Sequence, residues 1–595
     1  MIGCASAGRG GLLSSDPIRS HRSHVATAPV NRDEPVAADQ GACATTRQAP
    51  PLQAVSAPLR ILGIGPVHPQ RTGGFVTRNR RGSDRSESPA GAVADYASML
   101  VRHRPGHGAP DRRRGSSFAE FRQVVRRYRP SDLLPALAQL ALLEGEPPYS
   151  SSMLSSAPPW AIALAGRESV LWGNEHRHAP LTGDSLRVIF NTHNDIYEGD
   201  PSSDAKGILD IMVRLAYEQF PYQESIFEEV SRSHVLLVEG AAEIPVEVLN
   251  DDAWHQLLGA PLGEVVGATF LLQAAANSNR GWFDYAFLDI DGLQPIFDRW
   301  PRSVIEHRAA QLSSTVREFK AAYEAVPHPP AGYERYSYNP LIKRPFLRMP
   351  DGRLLAPQPR LILRTVSPGS LYYEGIERFG EPFAHDLGHL TEHYVGKQLR
   401  SIDPDLPLHP EIVYREGKHE LKSVDWFLVL PSVVIMFEVK SARFGLLERA
   451  AFGDYETKVQ TLLNKATAQL MRSAEAIDAG NPHFSHIPND RPRIGMIVTG
   501  EPHYLANSPW VREMLNDAPF PTLTASLRDI EMLAGLPSAE VERQLQLIAT
   551  DTDRSTWNLG NALDKTVPGQ RRSSVLQRAW DAYPWPKALD KDTRQ

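Results

Sequence analysis

Asp425 lies in the apolar run SVDWFLVL, and Glu438 and Lys440 lie in the next one, VVIMFEVK, with only Pro431-Ser432 between them. Two such runs around a two-residue break predict a β-hairpin. If Pro431 and Ser432 form the whole turn, Asp425 falls directly opposite Glu438, with Cβ atoms about 4.5–5.5 Å apart on one face. Pro431 suits a type I or II turn better than the I′ and II′ turns that hairpins favour, so this register is an expectation. Lys440 is two residues beyond Glu438 and therefore points to the same face. Two carboxylates this close repel, and one of them takes up a proton. A divalent cation removes that cost, because Mg²⁺ accepts one or two carboxylates, keeps several waters and reaches phosphate oxygens. An ammonium beside it offsets the charge that develops at phosphorus. These are the parts required to hydrolyse a phosphodiester.

A second chemistry competes for part of this set. His389-Leu390-Thr391-Glu392-His393 fits the H-x-x-E-H pattern, in which two histidines on one helix face hold zinc and the glutamate acts as general base. That reading makes the chain a zinc metallopeptidase, with His385 and Asp386 one turn earlier as extensions of the cluster. A third ligand from a later helix has no clear candidate beyond Glu475, and Asp425, Glu438 and Lys440 are left without a role. The alternative zinc site is therefore His389 and His393, and the simpler expectation is that both are polar residues lining the cleft that contains Glu392. Asp289 and Asp291 in FLDIDG, and His176 and His178 in NEHRH, read as solvated turns or strand ends.

Positioning these groups requires helices before and after the hairpin. Phe383, Leu387, Leu390, Tyr394, Val395 and Leu399 recur on one stripe, which predicts a helix over 383–399. Extended runs at 411–414, 423–430 and 433–440 predict a three-stranded meander. A long helix over 456–479 and a buried strand, Arg493–Thr499, follow. Lys458, Lys465 and Arg472 recur every seven residues on that helix, a basic face suited to a phosphate backbone, with Leu462, Ala466 and Leu470 opposite. Arg443 is a further candidate phosphate contact.

Asp425…Glu438-Val439-Lys440 resembles the D…(D/E)-x-K signature of the PD-(D/E)XK nuclease superfamily, and the element order is similar to its restriction-endonuclease-like αβββαβ core. Glu392, Val395 and Leu399, in E-x-x-V-x-x-x-L, are similar to the nuclease-related NERD group, in which an acidic residue of the first helix assists the metal site. Ala468-Gln469-Leu470, with Lys465 one turn before, resembles the glutamine motif of the family's second helix. The resemblance implies Mg²⁺ or Mn²⁺ on Asp425 and Glu438, with Lys440 activating water and Glu392 and Gln469 completing the catalytic set. It also implies 5′-phosphate and 3′-hydroxyl ends, with DNA the favoured substrate and endonucleolytic cutting expected over exonucleolytic. Val424 stands where the family usually has proline, and Gln460 competes with Gln469. The resemblance spans about 370–505, under a quarter of the chain.

The 595 residues carry 64 Lys+Arg against 70 Asp+Glu, a net charge of −6, which excludes a generally basic, histone-like binder. Residues 1–115 hold 16 Arg, no Lys and 8 acids, so the remaining chain carries −14. Their Gly, Pro, Ser, Ala and Arg content predicts a disordered basic tail. Residues 116–365 are expected to form a mixed, mainly helical domain of unknown role that offers a surface for a protein partner. Residues 366–505 form the nuclease-like domain, and 506–595 short helices and a polar tail. The fold class expected is α/β in the α+β sense. Only 12 lysines occur, six of them between 397 and 465, which makes Lys440 a poor candidate for a filler charge. Both cysteines, Cys4 and Cys43, fall in the tail, so a disulfide framework is excluded from the folded part. The longest apolar runs, 133–143 and 426–437, are too short to span a membrane. A cytoplasmic location is expected. A nuclease fold acting as a non-catalytic interaction protein is the remaining alternative.

Overall fold

The computed structural model describes residues 115–583, apart from 144, 146, 148, 151–154, 197–204, 442, 453–454, 565, 568 and 570, and adds Gly91, Val93 and Tyr96. The tail expected over 1–115 thus lies almost wholly outside the described residues. The chain is a mixed α and β protein in which helices predominate.

Before residue 380, helices contribute to two hydrophobic cores. Phe118–Val125 begins at Ser117, whose side chain and that of Glu120 cap each other's backbone N–H groups. It packs with Pro130–Leu142, Pro159–Trp172 and Gly183–Asn194 around Phe121, Leu137, Ile162 and Phe190. The second core includes Leu262–Ser278, which is buried from Val265 to Ala276. With the preceding helix, this stretch (Asp251–Ser278) is apolar and long enough by composition to cross a membrane, and 72% of its most apolar window is buried in the protein. Sequence reading overlooks it because Glu264 and Gln273 interrupt the apolar run. Four strands of two or three residues make a small sheet beside these helices.

The C-terminal part is built on a five-stranded sheet. Helix α1 (Glu381–Arg400) precedes strands β1 (Leu408–Pro410), β2 (Trp426–Val429) and β3 (Val434–Lys440). Helix α2 (Tyr455–Asp478) then leads to β4 (Arg493–Thr499), β5 (Thr522–Ser526) and α3 (Leu527–Ala534). The strand order is β5-β4-β3-β2-β1, with β1–β2 and β2–β3 antiparallel and β3–β4 and β4–β5 parallel. A parallel β3–β4 pair needs a crossover, and α2 supplies it. On one face α1 buries Leu387, Leu390, Tyr394 and Val395 against Leu428, Ile435 and Phe437. On the other, α2 buries Val459, Leu463, Ala466 and Leu470 against Phe427, Val434 and Met436. Each such side chain contributes roughly 1.5–3 kcal/mol when fully buried. Covered on both faces, β3 and β4 are nearly continuous apolar runs.

Three sequence expectations change. The first meander strand is Leu408–Pro410, whereas 411–414 contributes to a separate hairpin, Val413–Glu416 with His419–Lys422, turning at Gly417 (φ +62°). That hairpin is largely polar and exposed, so the sheet has nothing to gain by including it. The buried stripe of α2 runs through Leu463 rather than Leu462. Finally, the region after 505 is not only helical, since Thr522–Ser526 forms an edge strand and α3 packs in the same core as α1.

Candidate active site

The hairpin turn is Pro431-Ser432, with Leu430 N–H donating to the Val433 carbonyl (2.9 Å). Trp426 pairs with Phe437 and Phe427 with Met436, so the next position brings Asp425 opposite Glu438, as expected. Asp425 Oδ2 accepts the Val439 N–H at 2.6 Å. Glu438 is fully buried, and its Oε1 accepts from the Lys440 ammonium. Its other oxygen, Oε2, is buried with no partner.

Helix α1 brings Glu392 to the same place. Its carbonyl accepts the Trp426 indole N–H at 2.9 Å. Gly396, one turn on, makes room for that indole, because a Cβ there would stand 2.2 Å from the ring. The three carboxylates press on one another. Burial, then Asp425, pushes Glu438 up to about 8 against the pull of Lys440. Burial, then Asp425 and Glu411, pushes Glu392 up to about 7. Burial pushes Asp425 up to about 6, opposed by the Val439 N–H and Lys440. Without a cation, the crowding leaves Glu438 mostly protonated at neutral pH, Glu392 about half so and Asp425 mostly ionised, beside one ammonium.

Helix α2 fixes the start of β2. Gln469 Nε2 donates to the Ser423 carbonyl (2.7 Å), and Ser473 Oγ accepts the Val424 N–H (2.9 Å). Gln469 is thus a positioning residue for Asp425, and Ser473, four residues on, is a support that sequence reading missed. Gln460 is placed elsewhere and donates to the Met514 carbonyl (2.7 Å). Also missed were Glu411 and Lys422, an ion pair at 3.0 Å whose charges act on Asp425 and Glu392. The crowding of lysines between 397 and 465 was the available signal for Lys422.

The basic face of α2 is exposed at Lys458, Lys465 and Arg472, but Lys458 is ion-paired with Glu448. Arg443 does not extend that face. It is partly buried, with its guanidinium 5.3 Å from the centre of the Tyr372 ring, and burial lowers its pKa.

The histidines of α1 are differently engaged. His393 Nε2 lies 2.7 Å from Glu243, which also pairs with Lys397, while His389 is exposed. Asp386 is buried and accepts the N–H groups of Glu247, Val248 and Leu249 at 2.7–2.9 Å, so it is a structural carboxylate. Asp386→Ala strands three backbone donors and is expected to cost about 3 kcal/mol or more, read from urea unfolding. A loss under about 1 kcal/mol would contradict that role.

Among the described residues, no three His, Cys, Asp or Glu side chains are placed to hold an ion as they stand. Mg²⁺ needs only one or two carboxylates with water, and the buried, unpartnered Oε2 of Glu438 beside Asp425 fits that requirement. A cavity of about 550 Å³ lies elsewhere, between Trp254, Trp300 and Tyr583, and includes none of these residues. No family model, no curated protein and no solved structure matches the chain significantly.

Proposed function

We propose that the chain is a metal-dependent phosphodiesterase acting on nucleic acid, DNA by preference, through Asp425, Glu438 and Lys440 on a restriction-endonuclease-like core. The observation that carries this reading is a buried carboxylate, Glu438, with one oxygen on Lys440 and the other without a partner, opposite Asp425. The order α1, three antiparallel strands, α2 and parallel β4 supports the core assignment. Asp425 and Glu438 would hold Mg²⁺ or Mn²⁺, which supplies Lewis acidity at the phosphoryl group.

The chain's own residues do the rest. Lys440 is 26% exposed where Glu438 is 0%, so the ammonium is the member of the pair that reaches solvent and substrate. It holds the attacking water and offsets charge building on the phosphoryl oxygens. Glu392, with its pKa near 7, can exchange a proton with that water near neutral pH. Gln469 and the Val439 N–H hold Asp425 in place.

The test is cleavage of plasmid, single-stranded DNA and RNA under Mg²⁺, Mn²⁺, Zn²⁺ or EDTA. Mg²⁺- or Mn²⁺-dependent cutting that leaves 5′-phosphates is expected. No cutting by folded protein under any metal removes the reading in favour of a non-catalytic role. Binding should depend steeply on salt, because the folded part is acidic and attraction to phosphate comes from local basic groups, the α2 stripe among them. Neutralising Lys465 or Arg472 is expected to lower the slope of log affinity against log salt by about 1 each, and Lys458 by less. Anisotropy titrations across a salt series measure this, and equal slopes in all variants would count against the stripe.

A further inference from the structure

Beyond β3 the chain runs through Ser441 to Arg443, and beyond β4 through Gly500 to His503. Gly500 N–H donates to the Lys440 carbonyl (2.8 Å), so both loops leave the sheet at the end that carries Lys440. The Nη1 of Arg443 lies 3.3 Å from where a Cβ on Gly369 would stand. Gly369 is the second residue of the twelve-residue helix Pro368–Phe379. Pro368 has no N–H, which makes that of Gly369 the first donor of the helix. Arg443 therefore meets the positive end of a helix, a place that by itself repels a cation.

Arg449 joins from the following segment. It pairs with Glu501 (2.5 Å), bonds the Tyr373 hydroxyl, and lies 4.9 Å from that ring's centre. Glu501, the carboxylate of this group, is also engaged by the Phe444 N–H (3.0 Å). Arg443 has no hydrogen-bond acceptor or ion-pair partner among the described residues. Its Nε, the Nε of Arg449 and both ring nitrogens of His503 are buried without partners. His503 is 6% exposed and packs 4.6 Å from Phe444, between ring centres. Burial above all, with the two guanidiniums, lowers His503 to about 4, so at neutral pH it is an uncharged ring with one N–H donor.

The one carboxylate of the group pairs with Arg449, while Arg443 stands at a helix N-terminus and feels that carboxylate only at a distance, and several buried donors lack acceptors. Each such donor costs free energy until an acceptor arrives. A tetrahedral oxyanion suits the planar fork of arginine and the helix N-terminus together. We propose that Arg443, Arg449, His503 and the Gly369 end of the helix form a phosphate-binding subsite beside Lys440. That the phosphate belongs to a nucleic acid rests on the nuclease reading above; the anion site does not. The phosphate is either a terminal monoester or an internal diester next to the bond cut.

The test is anisotropy of the full-length protein in EDTA, with one oligonucleotide sequence carrying either a 5′-phosphate or a 5′-hydroxyl. Inorganic phosphate serves as competitor. Arg443→Gln, and Gly369→Ala, which sets a methyl against the guanidinium, should each weaken binding about tenfold or more while melting like wild type. Inorganic phosphate should displace oligonucleotide from wild type and not from Arg443→Gln. A 5′-phosphate preference lost in Arg443→Gln assigns a terminal phosphate, and equal binding of both oligonucleotides with the same loss assigns an internal one. Unchanged affinity in both variants overturns the subsite. Phosphate binding sensitive to Arg443, in a protein that cuts nothing under any metal, keeps the subsite and removes the nuclease reading.

Discussion

Lys440→Ala is expected to lower metal-dependent cleavage by about 10²–10³-fold without unfolding the protein, the scale of losing one preorganised group at developing charge. The ammonium has two jobs that no neighbour can assume. It donates to Glu438 and holds that carboxyl below where burial and Asp425 would otherwise place it. It is also the partly exposed cation at the end of β3, the group that meets the phosphoryl group on the proposed reading. Lys422, the next nearest ammonium in the electrostatics of Asp425, is committed to Glu411. Arginine at 440 restores charge but not a compact ammonium, so Lys440→Arg should remain impaired. Asp425→Asn should fall as far, and Gln469→Ala less, because Gln469 acts only through the Ser423 carbonyl. Single-turnover rates at saturating Mg²⁺, with melting curves for each variant, measure these losses. A Lys440→Ala enzyme within about tenfold of wild type would remove Lys440 from the catalytic set.

In EDTA the melting temperature should fall as pH rises from about 5 to about 8, and Mg²⁺ should reverse the trend. Glu438, Glu392 and Asp425 have folded pKa values of about 8, 7 and 6, all above their ordinary values. At these three carboxyls the folded state binds more protons than the unfolded state in that window, so their contribution to stability drops with rising pH. Buried histidines such as His503, lowered to about 4 from 6.5, act in the opposite direction in the lower part of the window. The carboxyl contribution is fully present below the ordinary carboxyl range and is lost as pH passes through the folded values. For Glu438 the rise corresponds to roughly 4–5 kcal/mol at 1.36 kcal/mol per unit, shared among the three because they are coupled. A cation held by the ionised carboxylates displaces those protons, so stabilisation by Mg²⁺ should grow between pH 6 and 8. Glu229 is likewise pushed up to about 8 by burial, so the informative quantity is the difference between wild type and Glu438→Gln. Glu438→Gln should melt higher than wild type at pH 8 in EDTA and lose most of the Mg²⁺ effect. Identical pH slopes for the two proteins would show that Glu438 is not the group titrating.

Much of the local structure was legible in the chain. Helix α2 and strand β4 fall within a residue of the bounds read from their periodicity, and Asp425 lies opposite Glu438 because a two-residue turn leaves one register. Strand β5 was not legible, since five residues with a single long apolar side chain, Leu523, carry no period until a sheet edge pairs them. The short strand β1 was misplaced because the 411–422 segment has a stronger local hairpin signal than Leu408–Pro410. His389, Glu392 and His393 share a helix turn on paper, yet His393 is turned to Glu243, 150 residues earlier in the chain.

By itself, then, the sequence determined the hairpin of β2 and β3 and its flanking helices, and it singled out Asp425, Glu438, Lys440, Glu392 and Gln469. Alternation, helical stripes and turn length act between near neighbours and are written in the local order of residues. The tertiary structure alone decided that Glu438 is buried with one oxygen unpartnered, that Asp386 is structural, and that Arg443 sits at a helix N-terminus instead of on the basic face of α2. Those outcomes depend on burial and on charges brought together from distant segments. Low-dielectric surroundings make such encounters strong, and no local pattern encodes them.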